Sequence, residues 1–114
     1  MNRFRPARAK AIGARYPLLN NPEARILDVG GGSYPWDLLN PAAHITILNM
    51  SRPHTVPNDT KWEFVIGDGT NLQYPDQSFD LVFSNSVIEH VGDFETQSRF
   101  AKEMLRVGKN IYCQ

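Results

Sequence analysis

The sequence of 114 residues contains a single cysteine, Cys113, and no long apolar run. One thiol excludes an internal disulfide and a cysteine-based metal cluster, and it suits a reducing compartment. No apolar run approaches the ~20 residues of a membrane-spanning helix, and the amino terminus lacks a signal-peptide core. No histidines and carboxylates share the spacing of metal ligands. The sequence therefore predicts a cytoplasmic protein with no metal site and no membrane segment.

The net charge of the sequence is zero, but the charges are unevenly distributed. The first 25 residues carry a net charge of +5 and the remainder carries −5. A basic segment can mark a nucleic-acid site. These charges do not form one helical stripe, however, and no aromatic platform is interleaved with them. We therefore interpret residues 1–22 as a basic helical segment with a solvated face, and we predict no nucleic-acid partner.

A short apolar run that ends in three glycines organises the rest of the chain. Residues 25–29 read as a buried strand, and Gly30, Gly31 and Gly32 follow it directly. Glycines at the carboxyl end of a strand permit unusual backbone angles and let a ligand approach closely. Asp28 lies in the strand, where a carboxylate can hold a cationic group at the mouth of the loop. The alternative is a strand followed by a flexible turn with no ligand.

Strands and helices alternate along the remaining sequence. The apolar patterns predict strands at 44–50, 62–66, 79–83 and 109–113, and helices at 5–18, 34–40, 86–89 and 94–107. Ser86 and Glu89 match a capping box, and Asp93 is expected to cap the last helix. Continuous apolar strands separated by helices are typical of a parallel sheet covered on both faces. We therefore predict one α/β domain over residues 1–114, with a Rossmann-like, doubly wound, mainly parallel sheet of about five strands.

The predicted fifth strand lies at the end of the sequence. A strand in that position leaves an open sheet edge, which is a site for association. We therefore expect an incomplete sheet, and two copies of the chain could pair through this edge as a homodimer.

Three passages together resemble the class I S-adenosylmethionine-dependent methyltransferases. Residues 26–32 are similar to the first motif of that family, and residues 67–70 are similar to its acidic turn after the third strand. Residues 76–91 are similar to its fourth-strand motif over the whole length. The resemblance is to the type 11 group, which includes the ubiquinone and menaquinone biosynthesis enzymes. It covers residues 20–113 and implies methyl transfer to a small-molecule acceptor.

The resemblance also implies a role for several residues. Most of them would hold S-adenosyl-L-methionine: Asp28, Gly30, Gly31, Gly32, Asn49, Asp68, Gly69, Ser84 and Asn85. Within this set, Asp28 and the glycines would hold the methionine part, and Ser84 and Asn85 would close that side. Asp68 and the Gly69 amide would contact the adenine. His90, just after the fourth strand, is the candidate general base or substrate contact, although a structural role is the alternative.

The sequence departs from the family pattern in two ways. The family places an acidic residue on the ribose hydroxyls, where this chain has Asn49, which lacks the charge and the two-oxygen geometry of a carboxylate. The family sheet has seven strands, and this sequence accounts for five. We therefore expect weaker cofactor binding than is usual, and a chain that corresponds to the cofactor-binding half of an enzyme.

Two other functions fit parts of the pattern. A nicotinamide dehydrogenase would need a third glycine at position 35, where Pro35 lacks the amide that such a helix offers to a pyrophosphate. A non-catalytic methyltransferase-like domain would bind the cofactor, or associate through its sheet edge, without turnover. The retained motifs favour cofactor binding, and the missing strands favour an inactive isolated chain.

Overall fold

The computed structural model of the chain describes residues 5–54, 56–85 and 87–114. The strands are β1 (Arg25–Val29), β2 (His44–Asn49), β3 (Glu63–Ile66), β4 (Leu81–Ser84) and β5 (Ile111–Cys113). The α-helices are α1 (Arg5–Arg15), α2 (Trp36–Leu39) and α3 (Phe94–Val107), and the 3₁₀ helices are Pro17–Asn20 and Ile88–His90. None of these helices is long and apolar enough to cross a membrane.

All five strands pair in parallel, in the order β3-β2-β1-β4-β5. This order confirms the predicted Rossmann-like α/β class. The chain moves outward from β1 to β2 and β3, and then returns to the other side of β1 to form β4. In doubly wound sheets, the crevice at the carboxyl ends of the strands on either side of such a reversal is where ligands bind. The glycine loop leaves β1 at that crevice.

Two apolar layers cover the sheet, because successive residues of a strand point to opposite faces. Ile26 points to the face that also holds Ile12 of α1 and Trp36 of α2. Leu27 points to the other face, with Phe100 and Met104 of α3. Because both faces are covered, the strand interiors are buried, and only the loops at the carboxyl ends of the strands are free to form a polar site.

The observed helices differ from the predicted ones mainly in length. The first helix ends at Arg15, two residues before Pro17, and residues 1–4 lie outside the described part of the chain. The short helix α2 ends at Leu39, and its C-cap residue Asn40 has a left-handed backbone with φ of 45°. The predicted helix at 86–89 is the 3₁₀ helix Ile88–His90, and Ser86 of the predicted capping box lies outside the described residues.

The capping role of Asp93 is confirmed. Its Oδ1 accepts hydrogen bonds from the backbone N–H of Thr96 (2.9 Å) and from the Thr96 hydroxyl (2.8 Å). These bonds satisfy an otherwise unpaired amide of the first turn and hold the pKa of the Asp93 carboxyl below its usual range. The start of α3 is therefore fixed next to the loop that follows β4.

Candidate functional site

The glycine loop turns away from β1 through a backbone that only glycine adopts without strain. Gly30 has φ of 78°, and a Cβ at this position would lie 2.6 Å from Cγ1 of Val87. Its N–H donates to the carbonyl of Leu48 at 2.7 Å. This bond joins the loop to the end of β2, so the loop lies across the ends of β1 and β2.

Asp28 is a buried carboxyl group directly beneath this loop. The residue is 1% exposed. Its Oδ2 accepts a 2.7 Å hydrogen bond from the indole N–H of Trp36, and its Oδ1 has no hydrogen-bond partner among the residues that the structure describes. Burial raises the pKa of Asp28 to about 8, against the smaller opposing effect of the Trp36 hydrogen bond. At neutral pH the group is therefore mostly protonated, and it forms no ion pair with any residue that the structure describes.

Trp36 is the residue that positions this carboxyl group. It is fully buried, and its ring packs edge-on against Phe83 with 5.0 Å between centroids. Its indole N–H is a donor without an acceptor function, so it can bond only to an oxygen such as Oδ2. The structure places Trp36 in the core, with its polar edge at the site.

Gly31 lies against the Asp28 carboxyl group. A Cβ at Gly31 would be 2.0 Å from Oδ2 and 2.3 Å from Oδ1, so no other residue fits without movement of the loop or of the carboxyl group. The Gly31 carbonyl accepts a 3.0 Å hydrogen bond from Nδ2 of Asn49. The amide oxygen of Asn49 in turn accepts from the N–H of Met50 at 2.8 Å. Asn49 therefore fastens the loop to the end of β2, a role that the sequence did not predict.

Two adjoining cavities lie on either side of the loop. The first, of about 440 Å³, is lined by Asp28, the loop glycines and Asn85, together with Arg5, Tyr34 and Asn49. The second, of about 430 Å³, is lined by Asp68, Gly69 and His90 among others. Gly30 and Asn49 line both. We call the first cavity the loop cavity and the second the Asp68 cavity. Together they form one crevice at the carboxyl ends of the strands, where the strand order reverses.

Asp68 carries an ionised carboxylate at the rim of its cavity. Its Oδ1 accepts from both the backbone N–H (2.9 Å) and the hydroxyl (2.8 Å) of Thr70. These bonds hold the pKa of Asp68 below its usual range. The next residue, Gly69, is packed so closely that a Cβ would lie 2.6 Å from the Phe100 ring and 2.8 Å from Val29. The acidic turn therefore presents an anion on a rigid backbone.

The other predicted site residues fall in different places. Asn85 lines the loop cavity. Ser84 is fully buried, lines neither cavity, and donates its hydroxyl to the carbonyl of Val29 at 3.0 Å. His90 borders the Asp68 cavity, with an exposed side chain whose Nε2 lies 3.6 Å from Oε1 of Glu89. His90 is thus on the opposite side of the loop from Asp28.

A parallel sheet with this crevice, a glycine loop and a buried acid at the end of β1 defines a Rossmann-like α/β domain. The model of a family described as "Methyltransferase domain" matches residues 27–110, which include most of β1, the loop, the acidic turn and β4. The chain belongs to this methyltransferase domain family.

The curated relatives of this chain are longer than the part that it matches. It is 35% identical over 98 residues to the 2-methyl-6-phytyl-1,4-hydroquinone methyltransferase of Synechocystis, a match that covers 77% of this chain and 30% of that protein. Seven of the curated relatives that it matches are covered over 16% to 30% of their length. The chain therefore accounts for less than a third of each of these relatives.

Solved structures share the fold. The PH0226 protein of Pyrococcus horikoshii superposes with a TM-score of 0.71 at 19% identity, over 99% of this chain and 56% of that chain. CalS10, an amino pentose methyltransferase from Micromonospora echinaspora solved with S-adenosylmethionine bound, gives a TM-score of 0.66 at 19% identity, over 86% of this chain and 44% of its own. At these identities the likeness establishes the fold.

Proposed function

We propose that the chain binds S-adenosyl-L-methionine in the two-sided crevice and serves in methyl transfer to a small-molecule acceptor. The observation that carries the proposal is the buried Asp28 carboxyl group, whose Oδ1 lacks a partner beneath the glycine loop. Family membership supports the same cofactor. The acceptor, and turnover by this chain itself, belong to the proposal, because the chain covers only part of its relatives.

The residues of the crevice fit this cofactor chemically. An unpaired carboxylate oxygen needs a donor, and the amino-acid ammonium of the cofactor is a donor that also compensates the buried negative charge. The loop beside it is held open by Gly31, where a Cβ would collide with Asp28. On the other side of the loop, the ionised Asp68 can accept from an exocyclic amine or a hydroxyl group.

The assignment follows the two sides of the loop. Asp28, the loop glycines and Asn85 would hold the amino-acid part of the cofactor in the loop cavity. Asp68 and Gly69 would hold the nucleoside in the Asp68 cavity. Asn49 would act mainly by holding the Gly31 carbonyl, and Ser84 by holding Val29. His90 is not included as a base, because it borders the nucleoside side.

When bound, S-adenosyl-L-methionine supplies an activated methyl group. The contribution of the chain is to fix the orientation of that group and to keep the site free of bulk water. Orientation alone can supply about 7–11 kcal/mol of a barrier of this kind. The many backbone contacts of the loop, rather than a single catalytic side chain, would provide it.

This proposal predicts that binding of S-adenosylhomocysteine strengthens as the pH rises from 6 to 7.5. With a pKa of about 8, Asp28 is protonated in the free protein over this range, and an ammonium group binds its carboxylate form. Binding therefore releases a proton, and affinity is expected to rise by up to about tenfold per pH unit. Titration calorimetry in two buffers of different ionisation enthalpy measures both the affinity and the number of protons released.

Binding with no proton release and no pH dependence would contradict the pairing of the ligand ammonium with Asp28. The absence of saturable binding by the folded chain would contradict the proposed function as a whole.

A further inference from the structure

A third cavity adjoins the loop cavity and has a different chemical character. It has a volume of about 260 Å³ and lies between one face of α1 and the carboxyl ends of β4 and β5. Tyr34 and Asn85 line this cavity and the loop cavity alike, so the two are neighbours. We call it the α1 cavity.

The charged groups that line the α1 cavity are both positive. Arg8 and Arg15 lie on the same face of α1 as Ala11 and Ile12, since residues spaced by three, four and seven share a helix face. Among the described residues, no acidic side chain lines the cavity. Within the part of the chain that the structure describes, neither arginine forms an ion pair.

The floor of the α1 cavity is aromatic and polar. The Tyr112 ring stacks on Phe83 with 4.7 Å between centroids, and its hydroxyl donates to Oε1 of Gln114 at 2.5 Å. Burial raises the pKa of the Tyr112 phenol, and the charges of Arg15 and Arg8 oppose this rise. The two guanidinium groups therefore act electrostatically on the interior of the cavity as well as on its rim.

We propose that Arg8 and Arg15 form an anion-binding subsite for the methyl acceptor, which therefore carries a carboxylate or phosphate group. This inference rests on the proposed function, because the acceptor must reach the loop cavity past Tyr34 and Asn85. A guanidinium group offers a rigid pair of donors that matches either anion. The small volume suits the charged end of a small molecule and not a polymer.

The test uses inorganic phosphate and acetate as probes of the subsite. Each is titrated into the ¹⁵N-labelled chain, and amide shifts are followed at Asn85, Tyr112 and Gln114. In the Arg8→Gln/Arg15→Gln variant, the anion affinity is expected to fall at least about tenfold, since charge-assisted hydrogen bonds are lost. Binding of S-adenosylhomocysteine, measured separately by calorimetry, is expected to stay within about twofold of the unmodified chain.

The matched control is Lys10→Gln/Lys102→Gln, which removes the same charge at two exposed positions outside the three cavities. Anion binding that survives in this control and is lost in the arginine variant supports the subsite. Equal losses in both variants, or shifts that avoid the α1 cavity, overturn the subsite and leave cofactor binding intact.

The titration of S-adenosylhomocysteine gives two further outcomes. Loss of its binding in the arginine variant also overturns the subsite, because the arginines would then hold the cofactor. Failure of the unmodified chain to bind S-adenosylhomocysteine, with anion binding retained, counts against the proposed function alone.

Discussion

The Asp28→Asn variant is expected to gain stability relative to the unmodified chain as the pH rises from 5 to 8. It is also expected to bind S-adenosylhomocysteine more weakly. The folded chain keeps Asp28 protonated up to a pKa of about 8, whereas the unfolded chain ionises it near 3.8. The folded state therefore holds the extra proton between these values, and its stability falls as pH rises through that range. Asparagine has no proton to lose, so the variant escapes this fall.

The expected difference between the two proteins is large. Between pH 5 and pH 8, the unfolding free energy of the variant rises relative to that of the unmodified chain by up to about 1.4 kcal/mol per pH unit. Asparagine retains the volume of Asp28 and an oxygen that can accept from Trp36. Denaturant unfolding at several pH values measures the difference, and Asp59→Asn, in an exposed loop, is the matched control.

Ligand binding is expected to change in the opposite direction. Loss of a charge-assisted hydrogen bond reduces the affinity for S-adenosylhomocysteine at pH 7.5 by at least about tenfold. The dependence of affinity on pH between 6 and 7.5 also disappears. A variant with unchanged affinity, or a stability difference that does not vary with pH, would show that Asp28 is not the buried acid whose carboxylate form binds the ligand ammonium.

The second large effect is expected from Gly31→Ala. The added Cβ would lie 2.0 Å from Oδ2 of Asp28, so the loop or the carboxyl group must move. Overpacking of this kind costs about 1–3 kcal/mol of unfolding free energy. Because the loop forms the wall between the two cavities, S-adenosylhomocysteine binding is expected to be lost as well. Denaturant unfolding and calorimetry measure the two effects.

A matched glycine substitution is available in α1. A Cβ at Gly13 meets only the terminal methyl of Leu39, at 2.9 Å, and a flexible side-chain end can move aside. Gly13→Ala should therefore keep both stability and binding near those of the unmodified chain. The double variant Gly31→Ala/Asp28→Ala removes the group with which the new methyl collides. Its loss of unfolding free energy should be smaller than the sum of the losses in the two single variants. Losses that simply add would show that the strain lies elsewhere.

The fold was predictable because the strands of a parallel sheet are continuous apolar runs. The largest shift is at β4, predicted at 79–83 and observed at Leu81–Ser84. Phe79 forms only an isolated bridge with Gly108, and its ring is buried at the edge of the α3 layer. An apolar residue is needed there for packing and not for the strand, and periodicity does not separate these two requirements.

The site was predictable only where a motif specified it. The motif placed Asp28, the glycines and Asp68 at the crevice, and the structure brings them to its two sides. The Asn49 contact with Gly31 joins residues 18 positions apart and follows from the register of β1 and β2. The α1 cavity combines residues from α1 with the ends of β4 and β5, so no local pattern predicts it.

The central claim is that the crevice on both sides of the glycine loop binds the cofactor. Its most direct test is titration of S-adenosylhomocysteine into the ¹⁵N-labelled chain, with assigned amide signals. We expect saturable shifts at Gly30, Gly31, Asp68 and Gly69, with the amides of α3 beyond Phe100 unchanged. Saturable shifts that leave the loop and the acidic turn unaffected would place the ligand elsewhere and contradict the account.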